Sequence, residues 1–329
     1  MATEPRNPVD IYPLVSWGRV RQLLGRSRED LERIGSHAGR YYRMLDRVPI
    51  DGGKRRHIDL PTGELATIQR RIQEQILSKV PFPPTMVGAV PGKSLRDSSR
   101  VHVQQAYVVC IDLKNCFPRI SNRAVHDAFR RTLGCSPTIA ATLTRLTTFQ
   151  RRLPQGASTS SAIANMVLLP LHDAVQSLAA ARGFNCTFWV DDITLSGSAE
   201  VLESIEEIIR LIHRHGHSIR QRKLLVASSG KQQSVTGVRV NRQISAPREM
   251  RDKIRLEVLR LSHDSEVSQP GLQKLMGRIG HVDFLCPSQG EALRRLASKK
   301  LPRVVVPGKR ERSAKFEECG CARRHRHER

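Results

Sequence analysis

The sequence predicts an α+β fold: a helical start, a mixed core built on an antiparallel sheet, and helices again. Three observations carry this. Short apolar runs rich in β-branched residues gather in the middle of the chain, as YVVCIDL (107–113), TFWVDDITLS (187–196), LLVAS (224–228) and SVTGVRV (234–240). Stretches with apolar residues at helical spacing lie on both sides of them. Beyond Pro302 the sequence turns basic and poor in large apolar residues, with little capacity to pack.

Taken in order, Ser16 precedes an apolar-periodic stretch closed by Gly25, and Ser27 with Asp30 resembles a capping box for a second helix. GGKRRHIDLP (52–61) reads as a turn and a short strand. The helix that follows carries Leu65, Ile68, Ile72, Ile76 and Leu77 and is stopped by prolines 81, 83 and 84. Residues 107–113 suit a buried strand. Ser121 caps a helix ending at Gly134, and PQGAS (154–158) is a turn opening onto a long helix through about Ala181, ended by Gly183. Two strand-like runs flanking Asp191 and Asp192 predict a hairpin. A helix over roughly 199–216 follows, then LLVAS and SVTGVRV as a strand pair. From Ser245 the chain is helical, and Leu272, Leu275, Met276, Ile279 and Val282 share one face of the last helix.

Lys and Arg number 55 against 31 Asp and Glu, a formal charge of +24. A polyanion is the expected partner, because neutralising phosphates releases condensed counterions. Aromatic residues are only 4%, so phosphate contacts should outweigh base stacking. The seven cysteines are odd in number and sit mostly within apolar runs. With no secretion signal at the start and no apolar stretch long enough to span a bilayer, they read as reduced thiols of a cytoplasmic protein with no membrane partner.

The chemistry centres on carboxylates. Asp112 ends an apolar strand, and Asp191 and Asp192 stand between two strand-like segments 79 residues further on. Buried carboxylates are costly unless paired or bound to cations. Hard oxygen ligands converging from neighbouring strands make a natural Mg²⁺ site. Two such ions can activate a hydroxyl nucleophile and stabilise a leaving pyrophosphate.

Read together, VVCIDLKNCFPRIS (108–121), RLPQGASTSSAIANMVL (152–168), FWVDDITLSG (188–197) and KQQSVTGVRVN (231–241) resemble the sequential palm motifs of bacterial retron-type reverse transcriptases. GGKRRHIDLP with ELATIQRRIQEQIL is similar to that family's fingers, and GLQKLMGRIGHVDFL (271–285) to its thumb. The resemblance covers about residues 40–300. It implies a right-hand polymerase with N-terminal helices and fingers at 1–107, a catalytic palm with an antiparallel sheet at 108–244 and a helical thumb at 245–303; the composition predicts a basic, disordered tail at 304–329.

The resemblance also implies residue roles. Asp112, Asp191 and Asp192 bind two Mg²⁺ ions, with the Leu113 carbonyl as a further ligand. Phe117 is the steric gate that selects dNTPs. Gln155 and Gly156 shape the nucleotide pocket, the glycine because a side chain would block the substrate. Lys54 and Arg56 hold the triphosphate, and Lys223 protonates the departing pyrophosphate. Val235, Thr236 and Gly237 match a motif linked to recognition of the enzyme's own RNA. The sequence departs from the family at Trp189, where Tyr or Phe is usual, and at Ser158 and Ser161, where Pro is common. The family's Asn-Ala-x-x-His survives at Ser98–His102 only in its histidine.

The implied activity is RNA-directed DNA synthesis. A cognate structured non-coding RNA serves as template and primer, and the product is an RNA-linked single-stranded DNA in an RNA–DNA hybrid. An effector protein and a role in anti-phage defence belong to the same expectation. The alternatives are another prokaryotic reverse transcriptase (abortive-infection, diversity-generating or intron-derived) and a catalytically silent RNA-binding scaffold. Other signals are set aside. PGKS at 91–94 lacks the first glycine of a phosphate loop, since Val87 stands there. Cys319, Cys321, His325 and His327 do not match a zinc-finger spacing. His213, His215 and His217 read as a solvated helix end.

Overall fold

The computed structural model describes residues 12–47, 56–263 and 268–301. The chain divides into two compact units, Met1–Ile244 and Ser245–Arg329.

The first unit opens with α1 (Trp17–Leu24) and α2 (Arg28–Ser36). Gly25 ends α1 in the left-handed conformation, and the Ser27 hydroxyl accepts from the Asp30 amide as an N-cap. The Asp30 carboxylate pairs with Arg33 instead of completing the box. A hairpin follows, β1 (Tyr42–Arg47) against β2 (Arg56–Pro61), antiparallel with Tyr42 opposite Pro61. The sequence predicts only the second of these strands. YRMLDR has no clean alternation, and it is a strand because β2 pairs with it along its whole length.

Helix α3 (Gly63–Gln75) buries Leu65, Ile68 and Ile72. Helix α4 (Leu95–Arg100) begins directly after the rejected phosphate-loop signal, whose Ser94 is its N-cap: Asp97 accepts hydrogen bonds from the Ser94 amide at 2.8 Å and the Ser94 hydroxyl at 2.6 Å. Strand β3 (Tyr107–Asp112) leads through α5 (Cys116–Arg119) to α6 (Asn122–Leu133), which Ser121 caps and Gly134 ends. Helix α7 (Pro137–Thr147), which the sequence does not announce, starts on a proline at its first position. The long α8 (Ser160–Arg182) ends at a left-handed Gly183.

The hairpin β4 (Asn185–Trp189) and β5 (Asp192–Gly197) forms as expected. The predicted helix over 199–216 is two, α9 (Glu200–Glu203) and α10 (Ile205–Arg214), broken at Ser204. Strand β6 (Leu225–Ser228) pairs with β3, giving an antiparallel sheet in the order β4-β5-β3-β6. SVTGVRV therefore does not pair with it. That segment folds on itself as β7 (Ser234–Val235) and β8 (Val238–Arg239), because Thr236 and Gly237 both take positive φ and close a two-residue turn. Among the described residues, one large core joins the helices to the inner face of the sheet, with Val109, Ile111, Ile193, Leu195 and Phe188 all buried.

The second unit holds α11 (Arg248–His263), α12 (Gln269–Leu285) and α13 (Pro287–Lys300). The apolar face expected on the last helix belongs to α12, and α13 follows it. Leu275, Ile279, Val282 and Leu285 are buried, whereas Leu272 and Met276 are only partly so. Gly290 lets α13 cross α12 closely, since a Cβ there would fall 2.3 Å from the Asp283 Cα. Among the described residues no helix is long and apolar enough to cross a membrane.

Candidate catalytic site

Asp112 is the last residue of β3 and pairs directly with Asp192, the first residue of β5. Asp191 occupies the turn just before it. The Leu113 amide donates to the Asp191 carbonyl at 3.0 Å, which carries the ladder past the strand end and fixes the turn against β3. Three carboxylates thus meet at one end of two central strands. Asp112 is 8% exposed; Asp191 and Asp192 are half-buried.

Burial raises the pKa of Asp191, and the neighbouring Asp112 carboxylate adds to it. Burial, with repulsion from Asp191 and Asp112, pushes Asp192 up to about 6. Beneath them the Cys116 thiol is pushed up to about 12 by burial and by the same two carboxylates, so it stays protonated.

Two cations answer this charge. Lys223 Nζ donates to Asp112 Oδ2 at 2.6 Å. Arg220 Nε lies 3.4 Å from Oδ1, without hydrogen-bond geometry, and Oδ1 is buried with no other partner. The loop carrying both cations runs antiparallel beside residues 112–114. The Lys114 amide donates to the Ser218 carbonyl at 2.7 Å, and the Arg220 amide to the Asp112 carbonyl at 2.9 Å.

The turn between β4 and β5 is held from behind. Val190 sits at φ 55°, a conformation that suits a β-branched residue poorly. Residues 85–88 lie along β4, with the Phe188 amide donating to the Thr85 carbonyl and the Val87 amide to the Phe188 carbonyl, both at 2.8 Å. The Asn165 side chain donates to the Gly88 carbonyl at 2.8 Å. A Cβ on Gly88 would fall 2.7 Å from the Val190 nitrogen and 2.8 Å from Trp189. On the other side of the sheet, fully buried His102 places Nδ1 2.7 Å from Ser196 Oγ and Nε2 2.8 Å from Thr187 Oγ1, joining β5 to β4.

The remaining candidates are placed as follows. Phe117 stands half-buried in α5, packed against the core. Gln155 and Gly156 are exposed, and the Asp59 amide of β2 donates to the Gln155 carbonyl at 2.7 Å. Gly156 has φ 119°, and a Cβ there would meet Ile58 at 2.5 Å. In this structure it is the approach of β2, rather than of a substrate, that excludes a side chain. Buried Asp59 pairs with Arg152 at 3.3 Å across the same contact. Lys54 lies outside the described residues, and of Arg56 only the backbone is described, opposite Arg47. Cys319, Cys321, His325 and His327 also lie outside them. Val235 is fully buried with Val108 and Val240 and Thr236 is half-buried, so only Gly237 is exposed in that motif.

Sequence reasoning misses Gly88, Arg220 and the cross-strand role of His102. Gly88 lies in an apolar turn with no motif around it. Arg220 is one arginine in a run of basic residues. His102 is visible only as the remnant of a family motif.

Residues 48–241, more than half of the chain, match the family model described as reverse transcriptase (RNA-dependent DNA polymerase). The chain belongs to this family. Among curated reverse transcriptases, that of retron Mx65 from Myxococcus xanthus is 33% identical over 276 residues, covering 78% of this chain and 64% of that protein. That of retron Se72 from Salmonella heidelberg (strain 579083-10) is 27% identical over 311 residues, 88% of this chain and 80% of that one. The chain is thus similar in sequence to retron reverse transcriptases, and its helices and antiparallel sheet make an α+β fold. It spans just under two thirds of the Mx65 protein's length. Among solved structures, telomerase from Candida albicans in complex with a fragment of telomeric RNA aligns with a TM-score of 0.49 at 12% identity, over 84% of this chain and 59% of that one.

Proposed function

We propose that this chain is the RNA-directed DNA polymerase of a retron. It copies part of a cognate structured non-coding RNA, which supplies template and primer, into single-stranded DNA still joined to that RNA, in the cytoplasm and in defence against phage. The observation that carries this reading is the meeting of Asp112, Asp191 and Asp192 across the β3–β5 ladder.

The carboxylates fit divalent cations. They are hard oxygen donors, burial and mutual repulsion raise the pKa values of Asp191 and Asp192, and one buried oxygen of Asp112 has no hydrogen-bond partner. Among the described residues no three such side chains already form a cage for an ion; Asp112 is held instead by Lys223 and Arg220. Asp112, Asp191 and Asp192, with the Leu113 carbonyl, would hold two Mg²⁺ ions. Bound there, the ions would lower the pKa of the attacking hydroxyl and stabilise charge on the leaving group.

The chain's own residues do the rest. The primer hydroxyl oxygen bonds to the α-phosphorus of a dNTP as the bond to pyrophosphate breaks. Lys223 carries a proton within reach of the site and delivers it to the departing pyrophosphate. Phe117 excludes a ribose 2′-hydroxyl, and Lys54 and Arg56 hold the triphosphate. Gln155, fixed against β2, borders the nucleotide. The Thr236–Gly237 turn, with Val235 as its buried anchor, meets the cognate RNA. Residues 1–107 supply the N-terminal helices and fingers, 108–244 the palm and 245–303 the thumb, with a basic tail at 304–329.

The test is primer extension with Mg²⁺ and dNTPs on an RNA template, run with Asp191→Asn alongside. The variant should lose about 4 kcal/mol of transition-state stabilisation or more, about a thousandfold in rate, while still binding RNA. Retained synthesis by Asp191→Asn would remove the site assignment.

A further inference from the structure

Asp112 is held by two cations that differ in grip. Lys223 makes a short hydrogen bond to Oδ2. Arg220 approaches Oδ1 at 3.4 Å without hydrogen-bond geometry, and leaves that oxygen otherwise unpartnered. Its backbone, by contrast, is tied down. The Arg220 amide donates to the Asp112 carbonyl at 2.9 Å, and the Arg220 carbonyl accepts from the Lys223 amide at 2.8 Å. The guanidinium is therefore a loosely placed head on a fixed base, with 43% of the side chain exposed.

This arrangement has a consequence for cation binding. A buried carboxylate without a counter-charge is costly, so the two basic side chains keep Asp112 compensated in the cation-free protein. A divalent ion approaching Oδ1 is repelled by the guanidinium 3.4 Å from that oxygen, because both are positive. Both side chains are about half exposed, so length and alignment decide, and the longer, poorly aligned Arg220 contact is the weaker of the two and the one that gives way. Its fixed backbone keeps the displaced guanidinium beside the carboxylates. There it meets the polyphosphate of a nucleotide whose α-phosphate has come to the site. A planar guanidinium can grip phosphate oxygens in pairs, which the single ammonium of Lys223 cannot do.

Building on the proposed catalytic site, we propose that Arg220 is a displaceable latch. It occupies Asp112 until a divalent cation binds, and then contacts the polyphosphate of the incoming nucleoside triphosphate.

The experiment measures Mn²⁺ binding by electron paramagnetic resonance, without nucleotide, for wild type, Arg220→Gln, Arg220→Lys and Asp112→Asn. It then measures dTTP binding by calorimetry in Ca²⁺. Arg220→Gln should bind Mn²⁺ about twofold to fivefold more tightly, the scale of one exposed ion pair. It should bind dTTP about tenfold more weakly, the scale of one charge-assisted contact. Arg220→Lys should return Mn²⁺ affinity to the wild-type value without recovering dTTP binding, because it restores a charge but no fork. Unchanged Mn²⁺ affinity in Arg220→Gln overturns the latch, and unchanged dTTP affinity overturns the polyphosphate contact. If Asp112→Asn binds Mn²⁺ as wild type does, the catalytic-site reading itself fails, and the latch with it.

Discussion

The β4–β5 turn and the β7–β8 turn are both two residues long, and each puts a β-branched residue in the left-handed region, Val190 at φ 55° and Thr236 at φ 48°. Such a placement costs about 1–3 kcal/mol and persists only where the surroundings demand it. Around Val190 they do. Residues 85–88 bond to Phe188 on both its amide and its carbonyl, Gly88 presses on the Val190 backbone, and Val190 is 7% exposed. Around Thr236 much less is imposed. Gly237 takes the second left-handed position and is exposed, and a Cβ there would meet nothing within 4 Å. The turn beside the proposed catalytic carboxylates is held by its neighbours, and the other is made by its own sequence.

The largest expected effect separates the two directly. Gly88→Ala drives a methyl group into the backbone of Trp189 and Val190 and should destabilise the protein by about 3 kcal/mol. A shift of Asp191 by about 1 Å would lower DNA synthesis about a hundredfold. Gly237→Ala meets no atom and should cost only about 1 kcal/mol for its positive φ, with synthesis on a simple RNA template within about twofold of wild type. Urea unfolding and primer extension on both variants provide the check. Equal losses would mean that the packing behind Val190 does not set the position of Asp191.

The same contrast explains what could be read in the sequence. Gly237 suits the second left-handed position of a tight turn, and the hairpin that the turn closes is local. Treating LLVAS and SVTGVRV as partners overlooks this, because strand β6 satisfies its pairing with β3, which lies more than a hundred residues away in sequence. The carboxylates are legible because Asp112 and Asp191–Asp192 each border an apolar β-branched run. The support behind them is not. Gly88 matters for the space it leaves, and only the path of residues 85–88 along β4 shows that the space is needed. Strand β1 is hidden for a similar reason, since YRMLDR becomes a strand through β2 rather than through its own alternation.

An intermediate effect concerns the clamp across the hairpin that carries the acidic turn. Burial lowers the His102 pKa from 6.5 to about 4, so the ring stays neutral while bonded to Ser196 and Thr187. Between pH 6.5 and 4 the unfolded chain binds a proton at this site and the folded chain does not. Stability from this group is therefore complete above pH 6.5 and is lost as the pH falls toward 4, by about 3 kcal/mol in all. Replacing the ring with His102→Gln should flatten that part of the stability–pH curve, measured by urea unfolding from pH 7 to 4. Parallel curves for the two proteins would show that the ring already titrates normally in the fold. No comparable histidine clamp spans the β7–β8 hairpin among the described residues, so changes there should leave the acid limb unaltered.

The smallest effect tests whether the strain in the β7–β8 turn is merely tolerated. Thr236 holds its left-handed conformation with its Oγ1 buried and without a hydrogen-bond partner. Asparagine adopts that conformation more readily, and its longer amide can reach solvent or nearby backbone. Thr236→Asn should therefore raise stability by about 0.5–1 kcal/mol in urea unfolding. The matching change at the other turn, Val190→Asn, should do the reverse. Relief of backbone strain there is outweighed by loss of a buried valine and by an amide placed among apolar neighbours, a net cost of about 2 kcal/mol. If both asparagines stabilise, Val190 is strained without being held, and its surroundings contribute less to fixing Asp191 than their hydrogen bonds imply. If both destabilise, the Thr236 side chain is itself bound into the hairpin, and the two turns are closer in kind than their packing suggests.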